Sequence, residues 1–442
     1  MSKEIDIVNG NINRLLLHYI IPSVAGMLGI AGLIFLDTMF IGRAIGPVGL
    51  AAISIAVPIF SIFNAISYLI SVGGATVLSI SQGEGDIEKG RSVFSQAIIL
   101  NLIVSVIFIL GSIFFLDKLV YFMGASNENA TYVKEYLGIV MPCGICFMTV
   151  NMLNVFSKND KAPKIGMWGM IICSILNIVL DYLFMFPLGM GMKGAAIATC
   201  TAYFLGSFPG IYHFAFKSEI KFKFVKLQGN MIKRIIKNGS ANFITETSIA
   251  GVMILFNVVV NVLAGSIGVS AYSIVVNIGF VVTALYNGVA QAMQPIVSVN
   301  YGAGKIDRAE KVFKISKRIV LIIGILVFLI GAFFPEQVVK IFSGEDAKLI
   351  EITSNAIIIY FTSFIFLGVN VVNIYYYQSI ENSKYSSILS TLKGIVFIII
   401  GIVVLVPILN LNGVWLTVPL AEFLTLIIGI IIYKRNKLKT NF

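Results

Sequence analysis

Long apolar runs recur along the whole chain, and they limit what it can fold into more than any other feature. Each is long enough to cross roughly 30 Å of hydrocarbon as a helix. Twelve spans are expected, at about 15–43, 48–78, 92–115, 131–156, 165–186, 194–216, 239–264, 270–298, 312–333, 350–377, 385–407 and 413–433. The composition agrees: 58% of residues are hydrophobic, the mean hydropathy is +0.94 and only 12% are charged, about half the share usual in a soluble domain. The expected class is an all-α integral membrane protein. The first run is too long for a signal peptide and lacks an A-x-A-like cleavage site. Pro22, Pro58, Pro142 and Pro295 are candidate kinks within spans.

The net charge of +11 is a matter of orientation. With the N-terminus in the cytoplasm, 25 of the 32 Lys and Arg residues fall on the cytoplasmic side and 6 on the other, with Lys393 inside a span. This positive-inside bias and attraction to anionic lipid account for the basicity without nucleic acid. Both termini are then cytoplasmic. The longest polar segment, 217–238, reads as a cytoplasmic linker between an N-terminal lobe (1–216) and a C-terminal lobe (239–442).

The two halves look alike. GEGDIEKGRSVF (83–94) aligns with GAGKIDRAEKVF (302–313) at an offset of 219, with five of twelve positions identical. The same offset pairs Phe114 and Phe115 with Phe333 and Phe334, and Gly194 with Gly413. Six spans per half make the repeats parallel, which is one known plan of secondary transporters. The glycine-rich loop at 83–90 has no G-K-[ST] and reads as a tight turn. With no nucleotide-binding domain, energy must come from an ion gradient or the protein is passive. Nothing points to an enzyme, a cofactor or a nucleotide. His18 and His213 are isolated. The four cysteines lie in apolar segments, and PCGIC (142–146) reads as small polarisable residues in a membrane helix.

Ionisable residues inside spans cost about 2.5–3.5 kcal/mol each on insertion scales and are candidates for function. Asp37, Asp181, Glu246 and Glu422 qualify, with Lys393 the one comparable base, near enough to the cytoplasmic end to snorkel. Helical rise relates several of them. Asp181 and Thr199 each lie nine residues from residue 190, the centre of the loop between spans five and six, roughly 13 Å deep. Asp37 reaches a similar depth from its own loop, Asn177 is one turn from Asp181, and Tyr136 falls at that level. Two carboxylates, an amide, a hydroxyl and a phenol are expected to converge there. Two close carboxylates in a low dielectric disfavour joint ionisation, and such oxygens suit a proton or a hard cation such as sodium. In the repeat, Asp181 maps to Ile400 and Asn177 to Val396. Aligning Ile45–Gly46 with Ile267–Gly268 maps Asp37 to Val259, so the acid pair is expected in one half alone.

Twelve spans in two repeats, Pro22 and Asp37 on span one, NIVLD (177–181) on span five and the loops after spans two and eight resemble the MATE (multidrug and toxic compound extrusion) transporters. The resemblance implies a coupling site at Asp37, Asn177, Asp181, Thr199 and Tyr136, with sodium, if it is the ion, at Asp37, Asp181 and Asn177. It implies substrate-cavity positions at Asn154 and at Glu246, the latter matching a C-lobe acid, and a bend in span one at Pro22. Members with a C-lobe cation site carry a further acid on span ten. Here span ten has Tyr360, Thr362, Asn370 and Asn373 and, past Glu351 at its very edge, no acid within it. The implied activity is antiport in a plasma membrane, of the prokaryotic inner-membrane kind: a proton or sodium ion enters as an amphipathic, often cationic, organic compound leaves. Two other readings stand beside it, a lipid-linked saccharide flippase of the same superfamily and a non-transporting receptor or scaffold.

Overall fold

The computed structural model of the chain describes residues 6–125, 129–343 and 347–440, so the extreme termini of both expected lobes lie outside it. In order, the helices are α1 (Ile12–Ile45), α2 (Pro47–Gly83), α3 (Ile87–Phe122), α4 (Ala130–Val140), α5 (Gly144–Asn159), α6 (Pro163–Met185) and α7 (Gly191–Tyr212). They continue with α8 (Gly229–Gly302), α9 (Ile306–Phe333), α10 (Pro335–Ser343), α11 (Ala347–Tyr360), α12 (Thr362–Ser379), α13 (Ser383–Thr391), α14 (Phe397–Leu409) and α15 (Leu411–Thr440).

Twelve crossings are accounted for among the described residues. Nine helices, two of them joined across short π turns, are long and apolar enough to span a membrane. One of these, α8, is two helices broken at Gly265. Two bent pairs complete the set, α4 with α5 at 53° and α11 with α12 at 43°. The chain is a multi-pass membrane protein of two six-helix lobes. Local chemistry sets the ends: Asn11 caps α1 by accepting from the amides of Asn13 and Arg14, and Asp86 caps α3 by accepting from Lys89. Pro142 sits in the α4–α5 break, whereas Pro22 lies inside an uninterrupted α1.

The repeat is written into the backbone. Gly46 (φ 85°, ψ −158°) ends the first crossing and Gly265 (φ 62°, ψ −156°) ends the seventh. This conformation has a positive φ and is open to glycine almost alone. Positive φ recurs at Gly85 and Gly304, at Lys161 and Glu381, and at Gly191 and Asn410, each pair 219 or 220 residues apart. The expected match of Ile45–Gly46 with Ile267–Gly268 is therefore three residues out of register. The counterpart of Asp37 is Phe256, fully buried, and not Val259; it is still apolar.

By internal contacts the chain forms two units, one of Met1–Phe243 with Ser298–Lys305 and the other of Ile244–Val297 with Ile306–Phe442. In the first, α2 packs backbone to backbone on the two ends of α8. A Cβ on Gly73 would strike the Ile235 carbonyl and one on Gly239 the Leu69 carbonyl, while Gly83 abuts Val299 and Gly302 abuts Ile80. The polar segment after α7 is extended only as far as Gln228, and helix α8 begins at Gly229. Its extended part is strapped to α3. Lys223 N donates to Ser95 Oγ (3.0 Å), Gln228 N to Gln96 Oε1 (2.9 Å), and Arg91 Nε to the Glu219 carbonyl (2.8 Å).

Candidate functional site

Helix α6 lies along both α1 and α7, and α4 packs on α7. This arrangement carries Asp37 from α1, Asn177 and Asp181 from α6, Thr199 from α7 and Tyr136 from α4 into one region of the N-terminal lobe. All five are buried; Asp181 and Asn177 have no exposed surface. Asn177 Nδ2 donates to Thr199 Oγ1 at 3.2 Å, and the Tyr136 hydroxyl reaches Thr199. The Asp37 and Asp181 carboxyls lie within each other's electrostatic reach, and Tyr136 lies in the field of both. The surroundings are aromatic: Phe60 stands 6.2 Å from Tyr136, and Phe147 stands 4.7 Å from Tyr203, centroid to centroid.

The hydrogen-bond count is lopsided. Asp37 Oδ1, Asn177 Oδ1 and both Asp181 oxygens are buried with no donor in good hydrogen-bond geometry, although the Asp37 carboxyl and the Asn177 amide stand close enough to interact with Asp181. Buried polar atoms left without partners each cost about 1–3 kcal/mol. Four orphans here are all acceptors, and no Lys or Arg among the described residues is bonded to either carboxyl. The partner this cluster calls for is a proton or a hard cation that oxygen ligands accept. Among the described residues no group of three or more His, Cys, Asp or Glu side chains is suited to a metal ion.

The other sequence-derived positions lie elsewhere. Asn154 is on α5, packed against Gly166 near the start of α6. That is fifteen residues from Asp181 along the helix, about 22 Å at 1.5 Å per residue. Glu246 is half-buried on α8, in a stretch where Thr245 Oγ1 donates to Ser390 Oγ at 3.2 Å. Lys393 does not snorkel. Its Nζ binds Glu422 Oε1 at 2.9 Å, the glutamate buried and the lysine largely covered, because the pair meets inside the C-terminal unit. Asn370 Nδ2 donates to Glu422 Oε2 at 2.7 Å and to its carbonyl at 2.8 Å. Sequence reasoning had Lys393, Asn370 and Glu422 singly and missed the cluster. One signal was present: N-x-x-N recurs at 151–154 and 370–373, at the repeat offset of 219.

Two six-helix lobes, one with a buried pair of carboxyls, give the architecture of a membrane transporter. Comparison with known proteins gives the family. The MatE family model matches residues 22–183 and 242–411, and the chain belongs to that family of transporters. It is 24% identical over 412 residues to the multidrug export protein MepA of Staphylococcus saprophyticus subsp. saprophyticus, covering 92% of this chain and 90% of that one. Its fold matches an outward-facing multidrug resistance MATE transporter of the MOP superfamily with a TM-score of 0.93 at 22% identity, covering 100% and 99% of the two chains. It also matches the MATE multidrug transporter DinF-BH with a TM-score of 0.89 at 28% identity, covering 98% and 99%.

Proposed function

We propose that this chain is a secondary antiporter that exports amphipathic, often cationic, organic compounds in exchange for protons or sodium ions. The ion binds at Asp37, Asp181 and Asn177, with Thr199 and Tyr136 orienting the cluster. The observation that carries this reading is the buried pair of carboxyls, whose oxygens the surrounding side chains leave without well-aligned donors. Similarity to a multidrug export protein along most of both chains supports the substrate class. The absence of bonded basic groups at the centre disfavours anionic cargo.

Mechanistically, the cluster exists in two charge states. With both carboxyls ionised, mutual repulsion and burial disfavour the packed arrangement of α1 against α6 and α7. A bound proton or sodium ion removes that penalty and favours the packing. Exchange requires only that the two states of α1, bending near Pro22, differ in their affinity for the ion. The termini are placed in the cytoplasm of a plasma membrane, as the positive-inside bias directs.

The test is ethidium efflux from proteoliposomes with pH and sodium gradients imposed separately. Flux driven by one gradient, and lost in Asp37→Asn and Asp181→Asn proteins that still insert, is the expected result. Full gradient-driven flux in both variants would remove the coupling role, and no flux from wild type under either gradient would remove antiport.

A further inference from the structure

The C-terminal lobe holds an ion pair that packing alone does not explain. Lys393 and Glu422 meet at 2.9 Å with side chains 13% and 5% exposed. Replacing a buried ion pair by apolar residues is often neutral or stabilising, so such a pair is weak evidence of a stabilising role. The two partners are also held unequally. Glu422 is fixed without the lysine, since Asn370 donates to both its carboxylate and its backbone carbonyl. Lys393 has Glu422 as its one bonded partner among the described residues. It also springs from a π-helical turn, Leu392–Val396, a local break in α geometry frequent at functional positions. Its flexible stem and compact, strongly hydrated head make it the movable member. Half-buried Tyr360 and buried Tyr286 lie in the field of the Glu422 carboxylate, and Asn370 Oδ1 is buried without a partner. A fixed carboxylate with a spare amide oxygen next to it, in a neighbourhood that includes two phenols, can receive a nitrogen cation with N–H groups to donate.

We propose that Glu422 is a binding position for the cationic nitrogen of a transported compound, and that Lys393 is its resident, displaceable counter-ion. Lys393 then acts as a tethered competitor. It neutralises Glu422 when no compound is bound and lowers the affinity for any cation that must push it aside, so release does not leave a bare buried carboxylate. The N-terminal acids have no such lysine, which separates the two centres: one takes the coupling ion, the other the organic cation. This inference rests on the export of cations proposed above.

Ethidium, whose ring amines can donate to a carboxylate, is the probe, titrated by fluorescence against purified full-length protein in nanodiscs. The expected order of affinity is Lys393→Met above wild type above Lys393→Arg. Methionine removes the competitor and should tighten binding about tenfold or more. Arginine grips a carboxylate with two parallel bonds and should weaken ethidium binding. Glu422→Gln should weaken binding, and adding Lys393→Met to it should restore nothing. A Lys393→Met protein that binds no tighter than wild type, or a Lys393→Arg protein that matches wild type, overturns the counter-ion role; because Lys393→Arg keeps the charge pair, it reads the role even if Lys393→Met unfolds. Unaltered binding in Glu422→Gln overturns the site. If wild type binds ethidium and drives its efflux while these variants behave alike, only this inference falls. If wild type binds no ethidium at all, both this inference and the exporter reading fall.

Discussion

At the scale of single residues, the N-terminal acids trade stability for chemistry. Asp181 places two carboxylate oxygens in the interior without a well-aligned donor. Asp181→Leu, with the same branched four-atom shape and free of that burden, should raise the thermal unfolding temperature by the equivalent of about 1–3 kcal/mol where its bulkier methyl groups are accommodated, while abolishing gradient-driven efflux. A variant that unfolds below wild type in differential scanning fluorimetry would show that Asp181 is satisfied in the folded protein. Asn177 contributes through its bond to Thr199 and its amide beside Asp181. Asn177→Ala should cost about 1 kcal/mol of ion affinity, roughly a fivefold higher ion concentration for half-maximal flux. The common depth of these residues follows from helical rise, because each sits a countable distance from a loop, and the packing of α6 along α1 and α7 turns them toward one another. The Lys393–Glu422 contact was not legible in the same way. Depth places Lys393 about eight residues inside its span but says nothing about azimuth, and the π-helical turn at Leu392–Val396 alters the rotation that an ideal helix would give it.

At the scale of elements, the seam between α2 and the ends of α8 depends on having no side chain at Gly73, Gly83, Gly239 and Gly302. Gly239→Ala would drive a methyl group into the Leu69 carbonyl, and a backbone atom cannot swing away as a side chain can. It should destabilise by about 1–3 kcal/mol or more, whereas Gly111→Ala on α3, with open space around it, should be neutral or slightly stabilising. Equal unfolding temperatures for the two variants would contradict the close approach. The short turn before α1 gives a pH test. Asp6 accepts from the amides of Val8 and Asn9, and the turn is held by Asn300 on the Ile7 carbonyl and Lys305 on Asn9. Its carboxyl is held below the ordinary value of 3.8, chiefly by the Asn9 amide. A lowered folded-state pKa stabilises the turn above the ordinary value, and that contribution disappears as pH falls below about 4. Amide exchange at Val8 and Asn9, relative to intrinsic rates, should quicken over that range and hold steady above it. Of the two mid-span breaks, proline announced the one at Pro142. The other falls at Phe361, which no local propensity marks and which only the repeat offset points to. The same limit explains the register error near Gly265: in LAGSIG both glycines are locally able to take the positive-φ turn.

At the scale of the whole molecule, the count of twelve crossings and the charge bias make a topology that can be checked directly. In a background without native cysteines, a cysteine at exposed Lys193 should react with an impermeant maleimide on intact cells, and one at exposed Lys226 only after lysis; the reverse pattern would invert the chain. The fold was legible at this scale because hydropathy and the offset of 219 each reported on it separately, whereas the Lys393–Glu422 contact in the second half shows only once side chains are placed. The duplicated frame has kept its turns and dropped its chemical symmetry: where the first half has Asp37 and Asp181, the second has Phe256 and Ile400. Such a chain can change its diet without losing its engine. If the proposed roles hold, then under selection by a new toxic compound changes that widen the range of cargo should gather in the second half, around Asn370, Lys393 and Glu422, while the acid pair of the first half tolerates little. A duplication that began as two copies of one device thus leaves its descendants free to improvise with one copy because the other keeps time.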